Sequence, residues 1–166
     1  MTASATERLV EANRAFAEQF DRGGLAAPPA TGVAVVACMD ARVDVYRLLG
    51  LKEGDAHVIR NAGGVVTAEV VRSLAISQHK LGTTEVIVIG HSKCGLEGLD
   101  AEEFARQLDE ETGAARDWSI AAFEDVDEAV ARSVAQIEES PFLQRTQSVR
   151  GFVYDVDTGA LREVTE

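Results

Sequence analysis

Two short apolar runs, made largely of β-branched residues, most constrain the fold of this chain. Residues 33–38 have the sequence Val-Ala-Val-Val-Ala-Cys, and residues 85–89 have the sequence Glu-Val-Ile-Val-Ile. A run that is apolar throughout, without alternating polar residues, is typical of a strand buried on both faces of a parallel sheet. A shorter run, residues 56–59, lies between them. These runs predict three strands of one parallel sheet.

Helical segments separate the strands, and the longer ones carry apolar residues three and four positions apart. They cover residues 5–21, 43–49, 67–81, 100–110 and 124–139. The last part of the chain, residues 151–164, predicts a β-hairpin. The alternation of strands and helices predicts an α/β fold with a mostly parallel sheet. We expect about four parallel strands plus a C-terminal antiparallel strand or hairpin, flanked by helices.

The size and charge of the chain limit its organisation and its partners. Its 166 residues fit a single domain over residues 1–166, with residues 1–30 as an N-terminal helical arm and linker. A net charge of −12 repels phosphate backbones and anionic lipid, so neither nucleic acid nor a membrane is expected as a partner. No segment has the pattern of a membrane span or a signal peptide. We therefore expect a cytoplasmic protein, in which thiols stay reduced.

The two cysteines of the chain both follow the apolar runs. Cys38 ends the first run and is followed by Asp40, while His91 and Cys94 come directly after the second run. Because the carboxyl ends of parallel strands meet at one edge of a sheet, we expect these side chains to lie together. Two thiolates and an imidazole are three ligands of a tetrahedral zinc site, and Asp40 is a candidate for the fourth.

Other interpretations of these residues stay open at this point. A Cys38–Cys94 disulfide is one, although a reducing compartment disfavours it. Each cysteine could also be a small buried apolar residue without a ligand role. Asp40 and Arg42 have the spacing of a bidentate ion pair, but a turn residue and a surface charge would explain them equally simply.

Three motifs follow one another along the chain: Cys38-x-Asp40-x-Arg42, residues 60–64 (Arg-Asn-Ala-Gly-Gly) and His91-Ser92-x-Cys94-Gly95. Together they resemble the motifs of the β-class carbonic anhydrases, and the chain is most similar to the compact actinobacterial members. The resemblance implies a Zn²⁺ cofactor held by Cys38, His91 and Cys94, with Asp40 and Arg42 as the catalytic dyad. It also implies a homodimer with the site close to the subunit interface and the N-terminal helix packed on the partner. The sequence leaves open whether dimers pair into tetramers.

The expected activity is the zinc-dependent, reversible hydration of carbon dioxide to bicarbonate and a proton. In this hypothesis, zinc-bound hydroxide attacks CO₂ and is oriented by Asp40 and Arg42. Two thiolates and a neutral imidazole leave Zn²⁺ without net charge, so its water should ionise less readily than in a three-histidine site, and activity should rise toward alkaline pH. Asp40 could also leave Arg42 at low pH and bind the zinc itself.

Two other functions suit the same residues. The first is a hydrolase of carbonyl sulfide or carbon disulfide on the same zinc site, and the second is a catalytically silent zinc domain closed by Asp40. Lys93 stands where the family often has aspartate, so it is either a solvated side chain or a positive charge at the pocket mouth.

We also expect structural roles for the remaining histidines, and two further contributions to the site. The glycine-containing turn at residues 61–64 could offer backbone N–H groups to an anion. Four small or branched residues are candidates for an apolar wall beside the metal: Ala56, Val58, Val65 and Val66.

Overall fold

A five-stranded β-sheet forms the centre of the computed structural model, which describes residues 3–165. The strands are β1 (Val33–Cys38), β2 (Ala56–Asn61), β3 (Glu85–His91), β4 (Ser148–Tyr154) and β5 (Leu161–Glu163). Their order across the sheet is β2-β1-β3-β4-β5. Strands β2, β1, β3 and β4 run parallel to one another, and β5 is antiparallel to β4. The predicted α/β fold, with four parallel strands and a C-terminal hairpin, is therefore confirmed.

Five α-helices and one short 3₁₀ turn connect the strands within the described residues. They are α1 (Ala5–Glu18), α2 (Val45–Leu49), the 3₁₀ turn Ala62–Gly64, α3 (Ala68–Leu81), α4 (Ala101–Thr112) and α5 (Val126–Glu138). Side-chain caps set several of the boundaries. Asp44 accepts a hydrogen bond from the backbone N–H of Arg47, so α2 begins two residues later than the pattern predicts. Thr67 caps α3 in the same way, and Gly82 ends that helix in the left-handed conformation.

Both faces of the sheet are covered. Successive residues of a strand point to opposite faces, so β1 contributes Ala34 and Val36 to one side and Val35 and Ala37 to the other. On the first side, Leu74 of α3 and two residues of α5 complete the buried cluster: Val130 and Ile137. On the second side, α2 and the segment before it supply Val43 and Val45. This two-sided burial explains why the β1 and β3 runs are apolar throughout.

Helix α1 differs from the other helices because all of its residues are exposed, whereas each of the others has buried or half-buried residues. Leu9 is 72% exposed and Phe16 is 53% exposed, although both belong to the apolar face that predicts this helix. The single-domain boundaries and the arm over residues 1–30 stay predictions. Among the described residues, no helix has the length and apolar character needed to cross a bilayer.

Candidate metal centre

The parallel pairing of β1 with β3 brings the predicted metal ligands together. Cys38 is the last residue of β1, His91 is the last residue of β3, and Cys94 lies in the turn that follows. The ligand atoms of these three residues all lie within 4.8 Å of one another, and all three side chains are buried. Both cysteines are free thiols. The structure therefore assembles two sulfur atoms and one imidazole into a group that could hold a metal ion.

The hydrogen bonding of His91 leaves one ring nitrogen ready for a metal. Its Nδ1 lies 3.0 Å from the carbonyl oxygen of Ser92. Because a carbonyl can only accept, Nδ1 carries the proton and Nε2 keeps its lone pair. Nε2 is buried and has no hydrogen-bond partner within residues 3–165. Metal-bound histidines commonly show this arrangement, in which the second nitrogen fixes the ring through a hydrogen bond.

The two thiols of the group have different proton affinities. Burial raises the pKa of Cys38, but the neighbouring His91 and the backbone N–H groups of Asp40 and Gly63 outweigh burial and lower it to about 7. Burial raises the pKa of Cys94. The thiolate is the form that binds metal, and part of the Cys38 population is already thiolate at neutral pH. Cys94 would lose its proton as the metal binds.

Asp40 and Arg42 form a bidentate ion pair beside this group. Arg42 Nε donates to Asp40 Oδ1 at 2.9 Å, and Arg42 Nη2 donates to Oδ2 at 2.7 Å. The backbone N–H of Arg42 donates to Oδ1 at 2.8 Å. These hydrogen bonds hold the pKa of Asp40 far below its usual range, so the carboxylate stays ionised. Asp40 Oδ2 lies 3.9 Å from His91 Nε2, so Arg42 holds the carboxylate next to the ligand atoms.

Arg60 connects the second motif to the first. Its Nε donates to the carbonyl oxygen of Cys38 at 2.9 Å, and its Nη2 donates to the carbonyl oxygen of Asp40 at 2.7 Å. One guanidinium thus fixes the backbone on both sides of Met39. The sequence places Arg60 in a motif without assigning it a role. The structure shows that it holds the segment that carries Cys38 and Asp40.

Gly64, in the turn after β2, lies directly against the backbone of Cys38. Gly64 has φ +65°, and a Cβ atom there would lie 2.7 Å from the Cys38 nitrogen and 3.0 Å from the carbonyl oxygen of Ile89. The backbone of Gly63 also helps to lower the pKa of Cys38. The expectation that this turn offers its N–H groups to an anion stays a prediction.

Replacing Gly64 by alanine is expected to destabilise the protein by about 2–4 kcal/mol. The left-handed backbone costs a Cβ-bearing residue about 1 kcal/mol, and the clash with fixed backbone atoms adds about 1–3 kcal/mol. Gly113 is the matched control, because it has φ +63° but no atom within 4 Å of the place that a Cβ would take. Gly113→Ala should lose only the conformational part. Urea unfolding of both variants measures the difference, and equal losses would contradict the close contact with Cys38.

The apolar surroundings of the metal group differ from the predicted wall. Of the four candidates, Val65 packs against Cys38 and Cys94, together with Phe123. Ala56 and Val58 instead belong to the cluster on the opposite side of the sheet, because their strand positions face that side. Val66 packs against the main core. Phe123 follows a segment without a helical or strand pattern, so no sequence signal points to it.

The other two histidines lie outside the metal group. His57 Nδ1 is 2.7 Å from the hydroxyl oxygen of Ser77, and His79 Nε2 is 3.2 Å from the carbonyl oxygen of Phe142. Each ring therefore has a local structural partner, in agreement with the structural roles expected for them.

Fold and site together define a class of protein. A buried Cys-His-Cys group at the carboxyl edge of a parallel sheet, with an ionised Asp–Arg pair beside it, has the donor set of a zinc protein. Three protein ligands leave a fourth position for water, as in catalytic zinc sites. The molecule is thus an α/β protein with a Cys-His-Cys group that could hold zinc.

Known proteins specify this class further. The family model described as carbonic anhydrase matches residues 33–161. β-Carbonic anhydrase 1 of Mycobacterium tuberculosis is 49% identical over 162 residues, covering 98% of this chain and 99% of that protein. A carbonic anhydrase structure from Streptococcus mutans has a TM-score of 0.92 at 40% identity, covering 99% and 100% of the two chains. A carbon disulfide hydrolase of Acidithiobacillus thiooxidans is 33% identical over 151 residues, covering 77% and 74%.

The chain belongs to the β-carbonic anhydrase family. Zinc is the metal of these enzymes, and the Cys-His-Cys group has the ligands that zinc prefers.

Proposed function

We propose that this protein catalyses the reversible hydration of carbon dioxide to bicarbonate and a proton. In this proposal, Cys38, His91 and Cys94 hold zinc, and Asp40 and Arg42 are the catalytic dyad. The observation that carries it is the juxtaposition of the buried Cys-His-Cys group with a carboxylate that Arg42 keeps ionised. The 49% identity to a β-carbonic anhydrase over nearly the whole chain supports the same reaction.

The donor set fits zinc by its chemistry. Two sulfur ligands and one imidazole suit this metal, and His91 Nε2 is a buried lone pair without a protein partner in the described chain. When bound, zinc supplies the Lewis acidity that makes water a nucleophile near neutral pH. The side chains around the site supply the rest of the catalysis.

Asp40 orients the nucleophile and does not act as the base. A carboxylate whose pKa lies far below its usual range is a poor proton acceptor, but it remains a strong hydrogen-bond acceptor. Its Oδ2 accepts the hydrogen bond from the attacking oxygen and aims the free lone pair at CO₂. Arg42 has two tasks, because its hydrogen bonds keep Asp40 ionised and also restrain the carboxylate from taking the fourth ligand position.

The hydration rate is expected to rise toward alkaline pH, by about tenfold for each unit below the apparent pKa. Asp40 stays ionised and Arg42 stays charged from about pH 6 to about pH 9, so neither member of the dyad causes the rise. The rise instead reports ionisation of the water nucleophile beside two thiolates. Stopped-flow measurement of CO₂ hydration over this range checks it, and a flat profile would reject the mechanism.

A hydrolase of carbonyl sulfide or carbon disulfide is the second candidate. Its support is the 33% identity to a carbon disulfide hydrolase and the presence of Lys93 beside Cys94. Side-by-side assays with CO₂, carbonyl sulfide and carbon disulfide separate the two functions. We expect CO₂ to be turned over fastest, whereas a protein that turns over none of the three would be a silent zinc domain.

We further propose a cytoplasmic homodimer in which α1 packs on the partner subunit. The exposed Leu9 and Phe16 of α1 support this arrangement, since an amphipathic helix gains stability by burying its apolar face. Strand β2 lies at the edge of the sheet and can pair with another strand. Light scattering should give twice the chain mass; four times the mass would indicate the tetramer, and a monomer would contradict the proposal. Fractionation of cells tests the location, and recovery outside the cytoplasm would refute it.

A further inference from the structure

Lys93 stands inside the third motif in an unusual backbone conformation. It has φ +55° and is the one non-glycine residue with positive φ in the part of the chain that the structure describes. This conformation costs a lysine free energy that glycine would not lose. It also directs the Lys93 carbonyl oxygen to Arg42 Nη2, at 2.9 Å. The guanidinium of the dyad is thus held by Asp40 on one side and by the Lys93 backbone on the other.

The side chain of Lys93 pairs with a residue from a distant part of the chain. Its Nζ lies 2.5 Å from Oδ2 of Asp157, in the turn between β4 and β5. This turn is itself anchored. Asp157 donates its backbone N–H to Asp155 Oδ1 at 2.8 Å, and Val156 donates its backbone N–H to Ser92 Oγ at 3.1 Å. The Asp157 carboxylate is therefore held near the metal motif by local structure.

Arg42 and Asp157 both contact Lys93, one at its carbonyl oxygen and the other at its Nζ, so the guanidinium and a second carboxylate lie on either side of one residue. In agreement with this placement, the pKa of Arg42 is raised mainly by the hydrogen bonds to Asp40, and the negative charge of Asp157 adds to the rise. Two carboxylates thus attract the same guanidinium, and Lys93 neutralises one of them. Arg42 is 48% exposed, so it has room to turn toward solvent.

We propose that Lys93 and Asp157 form a positioning pair that keeps Arg42 on Asp40. The proposal rests on the dyad assigned above. Without the Lys93 charge, Asp157 competes for Arg42, and each shift of the guanidinium toward Asp157 weakens its hold on Asp40. Because Asp40 Oδ2 is only 3.9 Å from His91 Nε2, a released carboxylate has the metal position within reach. Lys93 and Asp157 act through Arg42 in this arrangement, so they are positioning residues.

The first test is a rescue experiment on hydration activity. Lys93→Met removes the charge and keeps the aliphatic stem, and it should lower kcat/KM about two- to fivefold at low salt, the range that an exposed ion pair supports. The double variant Lys93→Met with Asp157→Asn should recover wild-type activity, because the competitor is gone. In the single variant, added salt should close part of the gap by screening Asp157.

The second readout does not depend on catalysis. The side-chain Nε–H signal of Arg42 in nuclear magnetic resonance reports its hydrogen bond to Asp40, and Arg42→Lys assigns it. The signal should move in Lys93→Met and return in the double variant. Arg162→Met is the matched control, since Arg162 and Asp127 form an exposed ion pair at 2.8 Å, with Arg162 on the C-terminal hairpin. It should change neither readout.

Two results would overturn the positioning pair. One is a Lys93→Met protein with wild-type kcat/KM and an unmoved Arg42 signal. The other is a loss that the Asp157→Asn change does not rescue, which would trace the effect to the Lys93 backbone. A wild-type protein without hydration activity would instead refute the proposed function, and the Arg42 signal would still decide whether Lys93 and Asp157 position the guanidinium.

Discussion

Arg42→Ala is expected to lower CO₂ hydration at neutral pH by about a hundredfold or more, the size of effect seen when one preorganised electrostatic group is removed. The variant loses both side-chain hydrogen bonds to Asp40 Oδ1 and Oδ2. Asp40 remains ionised at neutral pH, since its pKa rises only toward that of an ordinary carboxylate. The freed carboxylate then competes with water for the metal. The loss should be smaller at alkaline pH, where hydroxide is the stronger competitor.

The Arg42→Ala protein should still fold and bind zinc. The Arg42 side chain is 48% exposed, so its removal leaves no buried cavity. Arg72→Ala is the control, because Arg72 forms an exposed ion pair with Glu69 on α3 and should keep full activity. Stopped-flow rates and zinc analysis on both variants complete the comparison. Full activity in Arg42→Ala would refute the assignment of Asp40 and Arg42 as the catalytic dyad.

Cys94→Ser is expected to lose zinc and, with it, nearly all activity. The serine hydroxyl keeps its proton at neutral pH and is a much weaker zinc ligand than a thiolate. The substitution is nearly isosteric at a position that is 7% exposed, so the fold should persist. We expect zinc to fall from about one ion per chain to less than about a tenth after dialysis.

The control for ligand loss is His79→Ala. His79 is also a possible zinc ligand by residue type, but its ring contacts the carbonyl of Phe142 and lies outside the metal group. Its replacement should leave zinc content and activity unchanged. If Cys94→Ser kept a full complement of zinc, the ligand set would need another member, and Asp40 would be the first candidate.

The sequence predicts the strands of this protein well because β1 and β3 are buried on both faces and leave continuous apolar runs. The same logic places Cys38, His91 and Cys94 at one edge, since parallel neighbours end together. Helix ends are less well defined. The apolar pattern extends α1 to residue 21, whereas the structure ends it at Glu18, because the pattern marks a face and not a cap.

Contacts that depend on the tertiary arrangement escape sequence reasoning. Asp157 is 64 positions from Lys93, and only the placement of β4 beside β3 brings them together. The sequence predicts Val58 beside the metal, but the register of β2 turns it to the other face. Phe123 reaches the site from an irregular segment. In each case the residue type is compatible with several neighbours, and the packing of strands and helices selects one.

The crystal structure of the protein at alkaline pH, with metal analysis of the same sample, tests the central claim most directly. The account predicts one zinc ion per chain, bound by Cys38, His91 and Cys94 as its protein ligands, with the Asp40 carboxylate still hydrogen-bonded to Arg42. Asp40 bound to zinc as a fourth protein ligand at that pH would contradict it, as would a metal-free protein with a Cys38–Cys94 disulfide.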